Sequence, residues 1–260
     1  LYNLLMKIFL INLKRATERL MSCEEEFRKA GLDFSIIEAI DGKELKLPHD
    51  NFSSIKYSLL HGKKSNLGEL GCYLSHLKVL KTFIESEEKY ALVCEDDIKI
   101  DSEIKEIVDK ALNSDINFDL LRLSGGSNPS IEKGIPVKLR QLTDKYHLAL
   151  NFGFKSGTGS YLINRKAAEA ILKKLKVMSL PIDHAIDRDW LLNIRSLCIS
   201  PSPILLKEEL HLRNSFINAT KSYKLNPLIR YWAMVPYRFV NELIRIFYKI
   251  FIWVKIKIED

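Results

Sequence analysis

Cysteine is scarce in this sequence of 260 residues, and no two cysteines form a C-x-x-C pair. The four copies are Cys23, Cys72, Cys94 and Cys198. Such wide spacing is not typical of a disulfide framework or of a cysteine-based zinc site, and three of the four lie in apolar patterns that favour buried, reduced thiols. Because Lys7 and Asn12 interrupt the apolar start and no signal peptide is evident, we expect a cytoplasmic protein.

Long apolar runs are also missing, since none reaches the roughly 20 residues that a transmembrane helix needs. The sequence has neither an internal repeat nor a low-complexity tract, which excludes repeat architectures. The net charge of +7 is modest, and most of the excess lies in the stretch 226–257, where six basic residues accompany one acid, Glu242. Since the remainder is close to neutral, the composition argues against a general nucleic-acid surface.

What the sequence does contain is an alternation of strand and helix patterns. Strands are predicted at 7–13, 34–40, 90–94, 120–123 and 159–163. Helices are predicted at 16–30 (ended by Gly31), 67–85, 102–112, 165–175 and 182–194. This alternation predicts an α/β fold with a mostly parallel, doubly wound sheet flanked by helices. We expect one domain over 1–225 and a separate segment over 226–260.

The segment 226–258 has the pattern of a basic amphipathic helix. A polar stripe at helical spacing is formed by Arg238, Glu242, Arg245 and Lys249, while aromatic and β-branched residues occupy the remaining surface. One interpretation is an interfacial helix on an anionic membrane. The other, equally well supported, is a C-terminal helix packed on its own domain or on a partner.

The stretch YALVCEDDIKI (90–100) places three adjacent carboxylates, Glu95, Asp96 and Asp97, at the end of a short apolar strand. Three like charges there repel one another unless they are solvated, or neutralised by a cation or by donor groups. Ligands of open α/β sheets gather at the carboxyl ends of strands, and Mg²⁺ and Mn²⁺ prefer carboxylate oxygens. The triplet is therefore a candidate metal site, and the alternative is a plain acidic turn.

Two further stretches carry candidate binding residues. Arg15 and Arg19 follow the first strand and could hold a phosphate, although a solvated charged face would explain them equally. In GELGCYLSH (68–76) two glycines fall in the first turns of a helix, each costing roughly 1 kcal/mol relative to alanine. Close approach of the backbone to another element or to a ligand would explain this cost. Ser75 and His76 then add a hydroxyl and an imidazole, with a structural histidine as the alternative.

A helix introduced by a proline at 181–190 places Asp183 and Asp187 four residues apart, hence on one face. An acid in the first turn is a normal partner of the helix dipole. Two acids on one face could also offer a general base to a hydroxyl nucleophile. Late in the chain, His211 could supply a third metal ligand.

Six stretches together resemble glycosyltransferase family 25, whose members include lipooligosaccharide galactosyltransferase-like proteins and collagen galactosyltransferase domains. They are IFLINLKRATER (8–19), EAIDGKEL (38–45), GELGCYLSHLKVL (68–80), LVCEDDI (92–98), GTGSYLINRKAAEAIL (157–172) and PIDHAIDRDW (181–190). They occur in the expected order, and the combination of GELGCYLSHLKVL with the following EDD is the most specific. The C-terminal segment lies outside this resemblance.

The resemblance implies a GT-A-like, Rossmann-type fold that transfers a hexose with inversion, typically galactose from UDP-galactose, with Mn²⁺ or Mg²⁺ as cofactor. It places the donor at Asn12, Arg15, Arg19, Asp41, Gly42, Ser75, His76, Glu95 and Asp96. The metal ligands would be Asp97, as the direct ligand, together with Glu95 and His211. Asp183 would be the catalytic base, with Asp187 in reserve.

On this hypothesis the partners are a UDP-sugar donor and a glycolipid or oligosaccharide acceptor of the lipooligosaccharide or lipopolysaccharide type, and not a nucleic acid. The segment 226–258 would hold the enzyme against the cytoplasmic face of an anionic inner membrane. Two alternatives are a catalytically inactive nucleotide-sugar-binding or membrane scaffold protein of the same fold, and a metal-dependent phosphodiester hydrolase. Six histidines are few for the second, because two-metal hydrolases draw many His and Asp ligands from separate elements.

Overall fold

The computed structural model describes residues 6–64, 66–125, 134–207 and 227–259. The strands of the main sheet are β1 (Met6–Asn12), β2 (Ser35–Glu38), β3 (Tyr90–Glu95), β5 (Leu120–Arg122), β6 (Pro136–Gln141), β7 (His147–Asn151), β8 (Ser160–Asn164) and β9 (Ser196–Ser200). Their order across the sheet is β2-β1-β3-β8-β5-β9-β7-β6. Two short strands, β4 (Ile98–Ile100) and β10 (Ile204–Leu206), form a separate antiparallel pair.

Most strands of the sheet run in the same direction. β1 pairs in parallel with β2 and with β3, and β5 pairs in parallel with β9. β8 is antiparallel to β3 and β5, while β7 is antiparallel to β9 and β6. Six of the eight strands therefore run the same way. The predicted α/β fold with a mostly parallel sheet is confirmed.

Helices cover both faces of this sheet. They are α1 (Thr17–Ala30), α2 (Ser54–His61), α3 (Leu67–Ile84), α4 (Ile104–Leu112), α5 (Arg165–Lys174), α6 (Ile182–Ile186), α7 (Asp189–Leu192) and α8 (Val235–Glu259). Along β3, Leu92 and Cys94 join the core formed with α1 and α4, whereas Ala91 and Val93 join the core formed with α3 and α5. A strand buried on both faces needs apolar residues throughout, which explains the unbroken run in the sequence.

One local prediction was confirmed and one was wrong. Gly31 ends α1 in the left-handed conformation, with φ of +59°, as predicted. Helix α2 lies in a stretch for which we predicted no helix, and Tyr57 and His61 bury one narrow face of it. The helix predicted at 182–194 is divided into α6 and α7, because the backbone leaves the helical conformation at Arg188.

Helix α8 packs its polar stripe against the domain. Arg245 Nη2 lies 2.8 Å from Asp187 Oδ2, and Lys249 Nζ lies 2.5 Å from Asp189 Oδ2, with both basic side chains buried. Ile252 and Ile256 enter the core beneath the helix. The interpretation in which this helix packs on its own domain is therefore correct for the polar face.

The opposite face of α8 is apolar and exposed. Its exposed large hydrophobic residues are Phe239, Val240, Leu243, Ile244, Ile246, Phe247, Ile250, Phe251, Trp253, Val254 and Ile258. None of the helices in the described part of the chain combines the length and the apolar character required to cross a bilayer. The predicted domain boundary at 225 lies outside the described residues.

Candidate active site

The acidic triplet lies at the edge of the sheet where β1 and β3 both end. Ile11 in β1 pairs with Glu95 in β3, so that Asn12 and Glu95 lie near each other at the carboxyl ends of their strands. Asp96 and Asp97 form the turn that leads from β3 into β4. Ligands of open α/β sheets collect at this edge, which makes the region a candidate active site.

Arg19 in α1 neutralises two of the three acids. Its guanidinium forms ion pairs with both Asp96 and Asp97, with 2.9 Å between Arg19 Nη2 and Asp97 Oδ2. The side-chain N–H of Asn12 donates to Asp96 Oδ2 at 2.7 Å. These four side chains are buried. In this structure the Arg19 guanidinium is bound to the two aspartates, and its predicted contact with a donor phosphate stays a prediction.

The same contacts bear on whether the two aspartates could hold a divalent cation. Burial raises the pKa of Asp96 to about 6, and the positive charge of Arg19 opposes this rise. Asp97 is only 4% exposed, and a cation there would share its carboxylate with the buried guanidinium of Arg19. The role of Asp97 as a direct ligand of Mn²⁺ or Mg²⁺ stays a prediction. His211, another predicted ligand, lies outside the described residues.

Glu95 is more open than the two aspartates, with 23% of its side chain exposed. Its Oε1 accepts a hydrogen bond from Thr158 Oγ1 at 2.6 Å and lies 3.3 Å from His76 Nε2. Burial alone would raise the pKa of Glu95, but the contacts with His76 and Thr158 outweigh it and lower that pKa. The structure therefore brings the predicted donor residues His76 and Glu95 together and favours an ionised carboxylate.

Ser75 has a structural role. Its hydroxyl donates to the carbonyl oxygen of Gly71 at 2.7 Å and accepts from the backbone N–H of Ile40 at 2.8 Å. A Cβ atom on Gly71 would lie 2.5 Å from the carbonyl oxygen of Ile40, so this glycine allows α3 to cross the backbone at 40–42. Close approach to another element is thus the explanation for Gly71. The Ser75 side chain is buried, and its predicted donor contact stays a prediction.

Arg15 and Asp41, two more predicted donor residues, pair with each other near the surface. Arg15 Nε lies 2.5 Å from Asp41 Oδ2, and Arg15 Nη2 lies 3.2 Å from Asp41 Oδ1. The hydrogen bond from Arg15 lowers the pKa of Asp41. The adjacent Gly42 lies against the start of α3, where a Cβ atom would come within 2.3 Å of the Leu67 carbonyl oxygen. This pair stays a prediction for donor binding, and Gly42 has a packing role.

A two-residue segment connects the acidic edge to the predicted catalytic base. Thr158 binds Glu95, and the N–H of the adjacent Gly157 donates to Asp183 Oδ2 at 3.0 Å. Arg122, which is buried, supports the segment from inside the sheet by donating to the carbonyl oxygen of Gly157. Glu95 and Asp183 are thus brought to the same place in the fold, one contacting each residue of the segment.

Asp187, the reserve base, is bound to α8. Its Oδ1 accepts from the backbone N–H of Lys155 at 3.3 Å, and its Oδ2 lies 2.8 Å from Arg245. Burial raises the pKa of Asp187 to about 6, against the opposing charge of Arg245. In this structure the carboxylate of Asp187 anchors the C-terminal helix, and its role as reserve base stays a prediction.

Cys72 lies close to His76 and Glu95. It was not among the site residues predicted from the sequence. Burial raises the pKa of its thiol well above the usual value. Four neighbouring carboxylates raise it further, those of Glu95, Asp183, Glu69 and Asp97. Thr158 and Tyr161 were missed as well, although both lie in the stretch GTGSYL (157–162) that carried part of the resemblance. The site, called the cleft below, lies between α3, the end of β3 and the start of α6, where Cys72, Glu95 and Asp183 are each partly exposed.

The sequence profile of glycosyltransferase family 25 (LPS biosynthesis protein) matches residues 6–186. This chain belongs to glycosyltransferase family 25. The match includes both sides of the cleft, because Cys72, Glu95, Thr158 and Asp183 all fall inside it. Helix α8, with Arg245, lies outside the matched part of this family 25 chain.

Two relatives of the family 25 chain show how much of it is shared. A protein named glycosyltransferase 25 family member from Drosophila pseudoobscura pseudoobscura is 27% identical over 218 residues, which cover 76% of this chain and 34% of that protein. Procollagen galactosyltransferase 2 from Homo sapiens is 30% identical over 115 residues, which cover 42% of this chain and 18% of that protein. The chain thus spans about a third or less of these curated relatives.

Solved structures similar to the family 25 chain are distant. A glycosyltransferase involved in the glycosylation of the major capsid of PBCV-1 aligns with a TM-score of 0.41 and 11% identity, covering 78% of this chain and 94% of that one. A197 from STIV aligns with a TM-score of 0.42 and 12% identity, covering 75% of this chain and 81% of that one.

Proposed function

We propose that this family 25 chain is an inverting glycosyltransferase that moves galactose from UDP-galactose to a hydroxyl of a lipooligosaccharide-type or lipopolysaccharide-type glycan. The observation that carries the proposal is the placement of Glu95 and Asp183 on the adjacent residues Thr158 and Gly157. Glu95 lies at the carboxyl end of β3, where ligands of α/β sheets collect. Asp183 lies in the first turn of α6, where its carboxylate would meet the acceptor. The galactosyltransferase names of some relatives support the choice of sugar.

Asp183 acts as the general base in this mechanism. Its carboxylate takes the proton of the acceptor hydroxyl while that oxygen forms a bond to the anomeric carbon. The bond from the anomeric carbon to the diphosphate breaks on the opposite face, and UDP leaves with the electron pair, which inverts the configuration. The hydrogen bond from Gly157 orients the carboxylate, and Arg122 holds the segment that provides it.

The predicted cofactor, Mn²⁺ or Mg²⁺, stays a prediction. Such an ion would neutralise charge on the diphosphate leaving group as a Lewis acid. Asp96 and Asp97 would hold it in the presence of Arg19, which is ion-paired with both of them. The proton transfer to Asp183 does not depend on whether a divalent ion binds.

Thermal unfolding with a panel of nucleotide sugars tests the donor. We expect UDP-galactose and UDP-glucose to raise the Tm, because a ligand that binds only the folded state stabilises it, by about 2.7 kcal/mol at 100 times its Kd. GDP-sugars and CMP-sugars should leave the Tm unchanged and serve as matched controls. Equal shifts with all three nucleotides, or no shift with any, would refute the UDP-galactose assignment.

We further propose that α8 rests on the cytoplasmic face of an anionic inner membrane and presents the cleft to a glycolipid acceptor there. Its exposed face is apolar and aromatic, with Phe247 69% exposed and Phe251 60% exposed. Among the basic residues of α8, Arg245 and Lys249 are buried against Asp187 and Asp189, whereas Arg238, Lys255 and Lys257 are exposed. An apolar helix face flanked by basic residues has the composition of an interfacial membrane helix.

Co-sedimentation with vesicles tests this contact. Vesicles that contain an anionic phospholipid should bind the protein, and Phe247→Glu should weaken binding by roughly tenfold, because a charge at an apolar interface is costly. Ile55→Glu is the matched control, since Ile55 is 74% exposed on α2 and should not affect binding. Wild-type binding by Phe247→Glu would contradict the proposal, as would formation of a dimer that covers α8 in place of vesicle binding.

A further inference from the structure

Three side chains with different ligand chemistry converge inside the cleft. Cys72 and His76 are four residues apart on α3 and therefore lie on one face of that helix. Glu95 approaches them from the end of β3. The Cys72 sulfur, an imidazole nitrogen of His76 and a carboxylate oxygen of Glu95 all lie within 4.8 Å of one another. Such distances fit three ligands of a single metal ion.

Two of these side chains are oriented by further hydrogen-bonding groups. The hydroxyl of Tyr161 lies 3.0 Å from His76 Nδ1, which leaves Nε2 directed at Glu95. Thr158 Oγ1 donates to Glu95 Oε1 at 2.6 Å. Metal-binding histidines and carboxylates are normally held by such partners, which fix their orientation before the ion arrives.

The electrostatic surroundings also favour a cation. Around the Cys72 thiol, the carboxylates of Asp183, Glu69 and Asp97 add negative charge to that of Glu95. The positive charge of Arg19, which is ion-paired with Asp96 and Asp97, also acts on Glu95 and offsets part of this negative charge. A divalent ion would reduce the repulsion among these groups.

We propose that Cys72, His76 and Glu95 bind a transition-metal ion of the Zn²⁺ or Co²⁺ class, with the remaining coordination position open to the cleft. A thiolate and an imidazole select such ions over Mg²⁺, and three protein ligands with one open position are typical of catalytic zinc sites. On binding, the Cys72 thiol forms a sulfur–metal bond and its proton passes to solvent. The inference deepens the proposed function, on which its relevance to sugar transfer rests, by naming a cation site beside the donor.

Titration of the metal-free protein with Co²⁺ tests the site by absorption spectroscopy. We expect a thiolate-to-cobalt charge-transfer band in the near ultraviolet that saturates at one ion per chain. Cys72→Ser should abolish this band, whereas Cys198→Ala, a change at a buried cysteine in β9, should retain it. Zn²⁺ should displace Co²⁺, and a large excess of Mg²⁺ should not.

Several results would overturn the proposal. These are the absence of a charge-transfer band in the wild type, the same band in a folded Cys72→Ser variant, and displacement of Co²⁺ by Mg²⁺ as readily as by Zn²⁺. Thermal unfolding establishes that each variant is folded. The metal site and the proposed function are tested by different measurements. The Tm shift with UDP-galactose tests donor binding, and the cobalt spectrum tests metal binding.

Discussion

Asp183→Asn is expected to slow sugar transfer by about 10²- to 10⁴-fold, which is the usual contribution of a general base. Asparagine keeps an oxygen that can accept the Gly157 N–H, but it cannot take a proton from the acceptor hydroxyl. The measurement is kcat for galactose transfer from UDP-galactose to lipooligosaccharide, followed as release of UDP. The Tm shift with UDP-galactose should stay as in the wild type, because the donor side is unchanged.

Asp187→Asn is the matched control, since it makes the same chemical change one helical turn away. It should lower the Tm and affect kcat much less, because it weakens a buried ion pair with Arg245. Wild-type kcat in Asp183→Asn would remove Asp183 from the mechanism. A loss of kcat in Asp187→Asn at unchanged Tm would transfer the role of base to Asp187.

The contrast between these two acids shows where sequence reasoning ends. The sequence pattern correctly placed Asp183 in the first turn of a helix, whereas Asp187 is the residue at which that short helix ends. The pattern could not reveal that Asp187 binds Arg245, because that partner is 58 residues further along the chain and only the tertiary fold brings it near. Periodicity describes one element at a time, whereas the role of a side chain depends on what packs against it.

The acidic triplet gives the same lesson at the sheet edge. The unbroken apolar run before Glu95 predicted a buried strand and hence the position of the acids at its carboxyl end. Among the ways to neutralise three like charges we had included donor groups as well as a cation, and the structure uses Arg19 and Asn12 for Asp96. Which of these applies depends on how α1 packs beside β3, and the sequence does not show that.

For α8, the sequence showed two faces but not which one is buried. Apolar stripes at helical spacing usually face the core. Here Arg245 and Lys249 face the domain instead, because Asp187 at the end of α6 and Asp189 at the start of α7 lie at that surface. The buried acids thus determine the orientation of the helix and leave its apolar face exposed.

Arg19→Met is expected to lower the free energy of unfolding by about 3–5 kcal/mol, as measured by urea denaturation near neutral pH. The change keeps an apolar chain of similar length but removes the guanidinium that pairs with Asp96 and Asp97. Two buried, adjacent carboxylates then lose their main compensating charge. Arg28→Met on the same helix is the matched control, because Arg28 pairs with Glu25 at the exposed surface and such pairs contribute little to stability.

The pH dependence of this deficit separates electrostatics from packing. Burial raises the pKa of Asp96 from its ordinary 3.8 to about 6, with Arg19 opposing the rise, so Arg19→Met should raise it further. An acid with a raised pKa holds its proton better in the folded state, and the unfolding free energy therefore falls as pH increases through the interval between the two pKa values. The deficit of Arg19→Met relative to the wild type should be larger near pH 8 than near pH 5. A deficit independent of pH would mean that Arg19 acts through packing and that another group neutralises Asp96 and Asp97. A cation could then bind the two aspartates in addition to that group.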